Sequence, residues 1–105
     1  MDANRLPRRL AGILYADVAG YSRLMGADED STHRTLSNHL DLIAENVQRH
    51  HGKVMHYAGD AVLAKFDAAL DALSCATDVQ ARLRACNADL AAEQRVEFRV
   101  GVNLG

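Results

Sequence analysis

Two short runs rich in apolar residues, KVMHYA and AVLAKF, are separated only by Gly59-Asp60. Glycine reaches positive φ without steric cost, so this pair predicts a tight hairpin joining two antiparallel strands over residues 53–58 and 61–66. On either side of the hairpin the hydrophobic period lengthens to that of a helix. Upstream, Leu36, Leu40, Ile43 and Val47 recur at steps of four, three and four, one apolar stripe of a long helix. Its start lies in the acidic ADEDST, whose Asp and Ser residues suit the positive end of a helix, and Gly52, after His50-His51, is its expected stop. Downstream, Asp67 is placed to cap a second helix running to about Asn87, with Leu70, Leu73, Ala76, Val79, Leu83 and Cys86 on one face.

Two more strands flank the helices. LAGILYADV, residues 10–18, is short and apolar, the pattern of a central strand buried on both faces. RVEFRVGVNLG alternates, with Val96, Phe98, Val100, Val102 and Leu104 on one side against Glu97, Arg99, Gly101 and Asn103 on the other. After Gly20, YSRLMG reads as a single helical turn. The order β-α-β-β-α-β is the split βαβ pattern of an α+β, ferredoxin-like domain: an antiparallel sheet with strands one and three at its centre and two helices on one face.

A length of 105 residues suits one small domain, and the net charge of -2 with a pI near 6.2 provides no general basic surface for nucleic acid. Tyr15, Tyr57, Phe66 and Phe98 are the only strand aromatics for base stacking, so an RNA-binding sheet ranks low. No stretch has the roughly 18 apolar residues of a membrane span, and MDANRLPRRL lacks the apolar core of a secretory signal, which points to the cytoplasm. Residues 1–9, with Arg5, Arg8 and Arg9, read as a flexible segment and residues 10–105 as the domain. Because the sequence stops at Gly105 directly after a strand, a partial domain is expected. Cys75 and Cys86, eleven apart on one predicted helix, sit about 16 Å from each other and cannot pair. His33, His39, His50 and His51 form no metal-ligand pair and read as exposed helix residues. Lys65, beyond the hairpin, reads as a residue of a solvent face.

The acidic residue at the end of the first strand needs a reason. In the expected topology Asp17 and Asp60 come to the same edge of the sheet, where two carboxylates repel unless a cation lies between them. An all-oxygen donor set without His or Cys suits Mg²⁺ or Mn²⁺, ions that commonly hold phosphates. Val18-Ala19-Gly20-Tyr21-Ser22 turns from strand into helix, so free N–H groups there can hold an anion. The alternative is structural: Asp17 capping the short turn and Asp60 filling the hairpin.

At these residues the chain resembles the catalytic domain of class III adenylate and guanylate cyclases. The matching blocks are ADVAGYSRLMGADE, HYAGDAVLAKF and EFRVGVNLG, and the resemblance runs from about Leu10 to Gly105. It implies that Asp17 and Asp60 are the catalytic carboxylates that bind two Mg²⁺ or Mn²⁺ ions. The backbone carbonyl of Val18 is implied as a further ligand, Ala19, Gly20, Tyr21 and Ser22 as the triphosphate-binding amides, and Gly59 as a further substrate-binding position. The implied reaction converts ATP or GTP to the 3′,5′-cyclic nucleotide and pyrophosphate for intracellular signalling. A homodimer is implied too, since these cyclases build each active site between two subunits.

The chain also departs from the family. The base-reading position three before Gly59 is His56, where adenylate cyclases often carry Lys and guanylate cyclases Glu. A neutral imidazole donates or accepts one hydrogen bond according to tautomer, which leaves the base open. A partly buried strand histidine is the competing reading. The family's second base-reading residue, and the Asn and Arg that bind ribose and stabilise the transition state, come from segments beyond these 105 residues. The chain alone is therefore expected to have little activity, and a non-catalytic nucleotide-binding or dimerising module is the alternative.

Overall fold

The computed structural model describes residues 11–19 and 29–104. The elements are β1 (Gly12–Val18), α1 (Glu29–Arg49), β2 (Lys53–Ala58), β3 (Ala61–Phe66), α2 (Ala69–Ala88), a short 3₁₀ turn (Ala92–Gln94) and β4 (Phe98–Leu104). The strands form one antiparallel sheet in the order β2-β3-β1-β4. Strands one and three are therefore the central pair, as the split βαβ order requires. Residues 1–10, the predicted turn over 21–26 and Gly105 lie outside the described residues.

Burial follows the pleat. Leu14, Ala16 and Val18 of β1, Val62, Ala64 and Phe66 of β3, and Phe98 of β4 are buried together with Leu36, Ile43 and Val47 of α1 and Ala72, Cys75, Val79 and Leu83 of α2. The residues between them on the strands face away from the helices. β1 is thus covered on one face only, contrary to the two-sided burial expected from its composition: Ile13 is 37% exposed and Tyr15 46%. A run of apolar residues five or six long does not distinguish these cases, because Ile and Tyr also stabilise an open strand face.

Helix α1 keeps its expected stripe but ends differently. The left-handed residue is His51, with φ 67°, not Gly52. His51 N–H donates to Gln48 O at 3.1 Å and Gly52 N–H to Val47 O at 2.8 Å, the paired bonds of a Schellman cap. Gly52 is needed for space, since a Cβ there would meet the ring of Phe66. Helix α2 buries Val79 and Leu83 of its predicted face and packs Ala76 against the core, but the rest of that face is rotated out. Ala72, Cys75, Val79, Leu83 and Asn87 are buried, whereas Leu70, Leu73 and Cys86 are exposed. Small residues face the sheet because α2 lies close on it: a Cβ at Gly12 would come within 2.6 Å of the Ala72 Cβ. The predicted cap is also absent, as the N-cap residue is Ala68 and no side chain caps it; Asp67 is exposed.

His39 is buried, not exposed as expected. Its Nε2 lies 3.1 Å from Asn87 Oδ1, and Asn87 clasps Val96 through Nδ2 donating to Val96 O at 2.9 Å and Val96 N–H donating to its Oδ1 at 3.2 Å. Since the carbonyl oxygen of Asn87 only accepts, His39 Nε2 is the donor in this hydrogen bond. The group ties α1, α2 and the entry to β4. His50 is also half-buried, linking the helices through Asp78 Oδ2 at 3.2 Å, while Arg82 Nε donates to Asp78 Oδ1 at 3.1 Å. Burial pushes the Cys75 thiol up to about 11, so it stays protonated at neutral pH.

Candidate metal and nucleotide site

Of the candidate residues, Asp17 and His56 stand on the uncovered face of the sheet, and Val18 is buried on the other. Pairing of Ala16 with Val62 between β1 and β3 sets Asp17 and Asp60 at the same end of the two central strands. Asp60 occupies the turn into β3 and is half-buried. Gly59 beside it has φ 62°, a backbone conformation that favours glycine, and no protein atom near where a Cβ would project.

Asp17 faces Arg99 across the β1–β4 ladder. Arg99 Nε donates to Asp17 Oδ1 at 3.0 Å and its second guanidinium nitrogen to Oδ2 at 3.1 Å, a bidentate pair. Tyr15 Oη donates to Asp17 Oδ2 at 3.1 Å from two residues back on the same face. The Arg99 hydrogen bonds hold the Asp17 carboxyl below the usual carboxylate range; partial burial opposes this and the Tyr15 bond adds to it. The same hydrogen bond and the Asp17 charge raise the Tyr15 phenol, with a smaller push from Asp60, so both carboxylates are felt at the Tyr15 hydroxyl. Asp17 is therefore an ionised acceptor with a cation already on it.

Val18 is buried, and Ala19 corrects an expectation. Its N–H is not free for an anion but donates to Glu97 O at 2.8 Å, prolonging the β1–β4 ladder by one bond. Gly20, Tyr21 and Ser22 lie outside the described residues.

A register shift between Val54 and His56 sets His56 opposite Leu63, which in turn pairs with Tyr15. His56 thus stands on the same face as Asp17, exposed, and lines a pocket of about 110 Å³ with Tyr15, Ala58, Ala61, Val62 and Leu63. Without the shift it would have pointed to the helix side. Arg99 and Tyr15 are the two residues that the sequence reading did not assign to the site. The signal was present for Arg99: it lies in the polar phase of the last strand, beside strand one in this topology.

The donor set fits a hard divalent cation. Among the described residues no three His, Cys, Asp or Glu side chains gather to form a full cage. One or two carboxylates are enough protein ligands for Mg²⁺, which keeps water and phosphate oxygens as its remaining ligands. Asp17 is already paired with the Arg99 guanidinium, so a metal ion there would have to share or displace that partner.

No protein-family model matches the chain. A curated protein of Rhizobium meliloti (strain 1021), "Putative adenylate cyclase 3", is 43% identical over the whole chain, which spans 18% of its length. A solved adenylate/guanylate cyclase/hydrolase from Silicibacter pomeroyi is 38% identical with a TM-score of 0.77, over 94% of this chain and 58% of that one. The guanylyl cyclase Cya2 is 25% identical with a TM-score of 0.78, over 94% of this chain and 55% of that one. The chain spans between half and two thirds of these solved chains and much less of the curated relative.

Proposed function

We propose, from the premise that this chain carries part of a class III adenylyl/guanylyl cyclase domain, that it supplies the metal-binding portion of a nucleotide cyclase site. The observation that supports this most is the β1–β3 pairing, which brings Asp17 at the end of β1 and Asp60 in the turn before β3 to the same end of the two central strands. Asp17, Asp60 and the Val18 carbonyl would hold two Mg²⁺ or Mn²⁺ ions. Bound there, the ions would supply acidity to the ribose 3′-hydroxyl and charge neutralisation to the leaving pyrophosphate.

The chain's own residues position and orient. β1 and β3, hydrogen-bonded at the centre of the sheet, fix the two carboxylates relative to each other, and Tyr15 restrains the Asp17 carboxylate. With the Ala19 amide engaged, anion binding by backbone N–H groups falls to Gly20, Tyr21 and Ser22. His56, with the apolar pocket beside it, would meet the purine edge and leave ATP and GTP as candidate substrates. The ribose- and charge-stabilising groups expected from the family's later segments would come from outside these residues, across a homodimer in the intact assembly.

The alternative reading is a cyclase-like module that binds nucleotide or dimerises without turnover. The catalytic reading and a nucleotide-binding module both predict that Mn²⁺ with a nonhydrolysable ATP or GTP analogue raises the melting temperature, and a module that only dimerises predicts no shift; the two-metal assignment adds that Asp17→Ala and Asp60→Ala each remove it. Only the first predicts Mn²⁺-dependent formation of cyclic AMP or cyclic GMP by the intact protein, abolished by either substitution. Undiminished turnover in either variant would refute the two-metal assignment.

A further inference from the structure

Arg99 and the metal compete for the same carboxylate. Both oxygens of Asp17 are taken, Oδ1 by Arg99 Nε and Oδ2 by the second guanidinium nitrogen and by Tyr15 Oη. A divalent cation coordinating Asp17 through its outward lone pairs would stand beside a fixed positive charge, so the bidentate pair must open before the ion can bind well. Arg99 is well placed to leave. Its side chain is 71% exposed, against 20% for Asp17, and among the described residues its charge has no other hydrogen-bonded partner.

We infer that Arg99 is a placeholder cation: it neutralises Asp17 while the site is empty and is displaced when metal arrives, so that metal and guanidinium exchange on one carboxylate. The inference rests on the metal site proposed above. Its consequence is directional. Arg99 opposes binding of the bare ion, and it ceases to do so when a triphosphate arrives with the ion and offers the freed guanidinium another anion. Metal and nucleotide then favour each other's binding, and by linkage the coupling is the same from either side. Tyr15 differs from Arg99 in being neutral, so it can stay on Asp17 without repelling the ion.

The test is a Mn²⁺ titration of the 105-residue chain, following the loss of the free-ion electron paramagnetic resonance signal. Arg99→Ala should tighten Mn²⁺ binding about two- to fivefold in the absence of nucleotide, the range expected for removing an exposed ion pair. Arg99→Lys, which keeps the charge but loses the fork, should fall between Arg99→Ala and the wild type. Tyr15→Phe should not tighten binding, which separates charge competition from a general loosening of Asp17. With a nonhydrolysable ATP analogue present, the advantage of Arg99→Ala should vanish or reverse. Unchanged melting temperatures without metal would show that the variants are folded. Wild-type binding that Asp17→Asn abolishes but neither Arg99 variant tightens would overturn the exchange and leave the metal site standing. No Mn²⁺ binding by any variant, with or without nucleotide, would defeat the site itself and the exchange with it.

Discussion

The two faces of the sheet are built from alternate residues of the same strands, yet they do different work. The helix-covered face holds Leu14, Ala16, Val62, Ala64 and Phe66, all at or near zero exposure, while Ile13, Tyr15 and Lys65, their immediate neighbours in sequence, remain accessible. Burial on one face supplies the hydrophobic stabilisation. The other face is thereby free to carry charges, and Asp17, Arg99, Tyr15 and His56 all stand there. The difference teaches that the candidate site is positioned by a core with which its side chains barely mix, so folding and binding should respond to different substitutions.

The largest effect should come from neighbours on β1. Leu14→Ala, which empties a fully buried position between sheet and helices, should lower stability by about 2–5 kcal/mol. Ile13→Thr, one residue earlier on the open face, should change it by no more than about 0.5 kcal/mol. Urea denaturation of both variants checks the pair. A loss for Ile13→Thr approaching that of Leu14→Ala would mean that the open face is covered in solution, and the comparison of faces would fail.

A smaller but more localised effect is expected where the covered side depends on polar groups. Asn87→Ala would leave His39 Nε2, the Val96 N–H and the Val96 carbonyl without their partner, at a cost of about 2–4 kcal/mol. Hydrogen exchange should show faster exchange first at the Val96 amide, which loses its acceptor directly. Equal acceleration across β1 and β3 would show instead that the Asn87 group supports the whole sheet rather than the entry to β4.

How much of this was legible in the sequence follows from what each signal measures. Gly59-Asp60 and the alternation of residues 96–104 report local backbone preferences, and both the hairpin and the last strand formed as expected. The order of elements was sufficient for the sheet topology, because a split βαβ chain has few ways to pair its strands. The face of α2 was half legible: Val79 and Leu83 are buried as expected and Ala76 packs on the core, but Leu70, Leu73 and Cys86, more hydrophobic than the buried Ala72, are exposed. Close approach of the helix to Gly12 selects small residues, a demand that a hydrophobic period does not encode. His39 was missed for a related reason, since its burial depends on Asn87, 48 residues away. At the site, topology alone brought Asp17 towards Asp60. The grip of Arg99 on Asp17 required the β1–β4 register, and the face of His56 required a bulge that no residue type between Val54 and His56 announces.

The smallest expected effect lies on the outer side of the covering layer, where Asp78 joins the two helices. The hydrogen bond with His50 holds its carboxyl below the ordinary 3.8, partial burial opposes the shift, and the Arg82 bond adds to it. The sign follows from the depressed value. A carboxyl that is more acidic in the folded chain than in the unfolded one stabilises the fold above the unfolded pKa, and that stabilisation is lost as pH falls through the lower, folded value. Asp78 is 30% exposed and Arg82 41%, so solvent screening keeps the contribution to no more than about 1 kcal/mol. Asp78→Asn should therefore lower the urea midpoint slightly at pH 7, and the deficit should shrink as pH falls below 3.8. A deficit that persisted undiminished at pH 3 would mean that Asp78 matters through neutral hydrogen bonding or packing. The covered side would then owe its outer seam to shape, as its interior does, and the contrast with the charge-built open face would be sharper still.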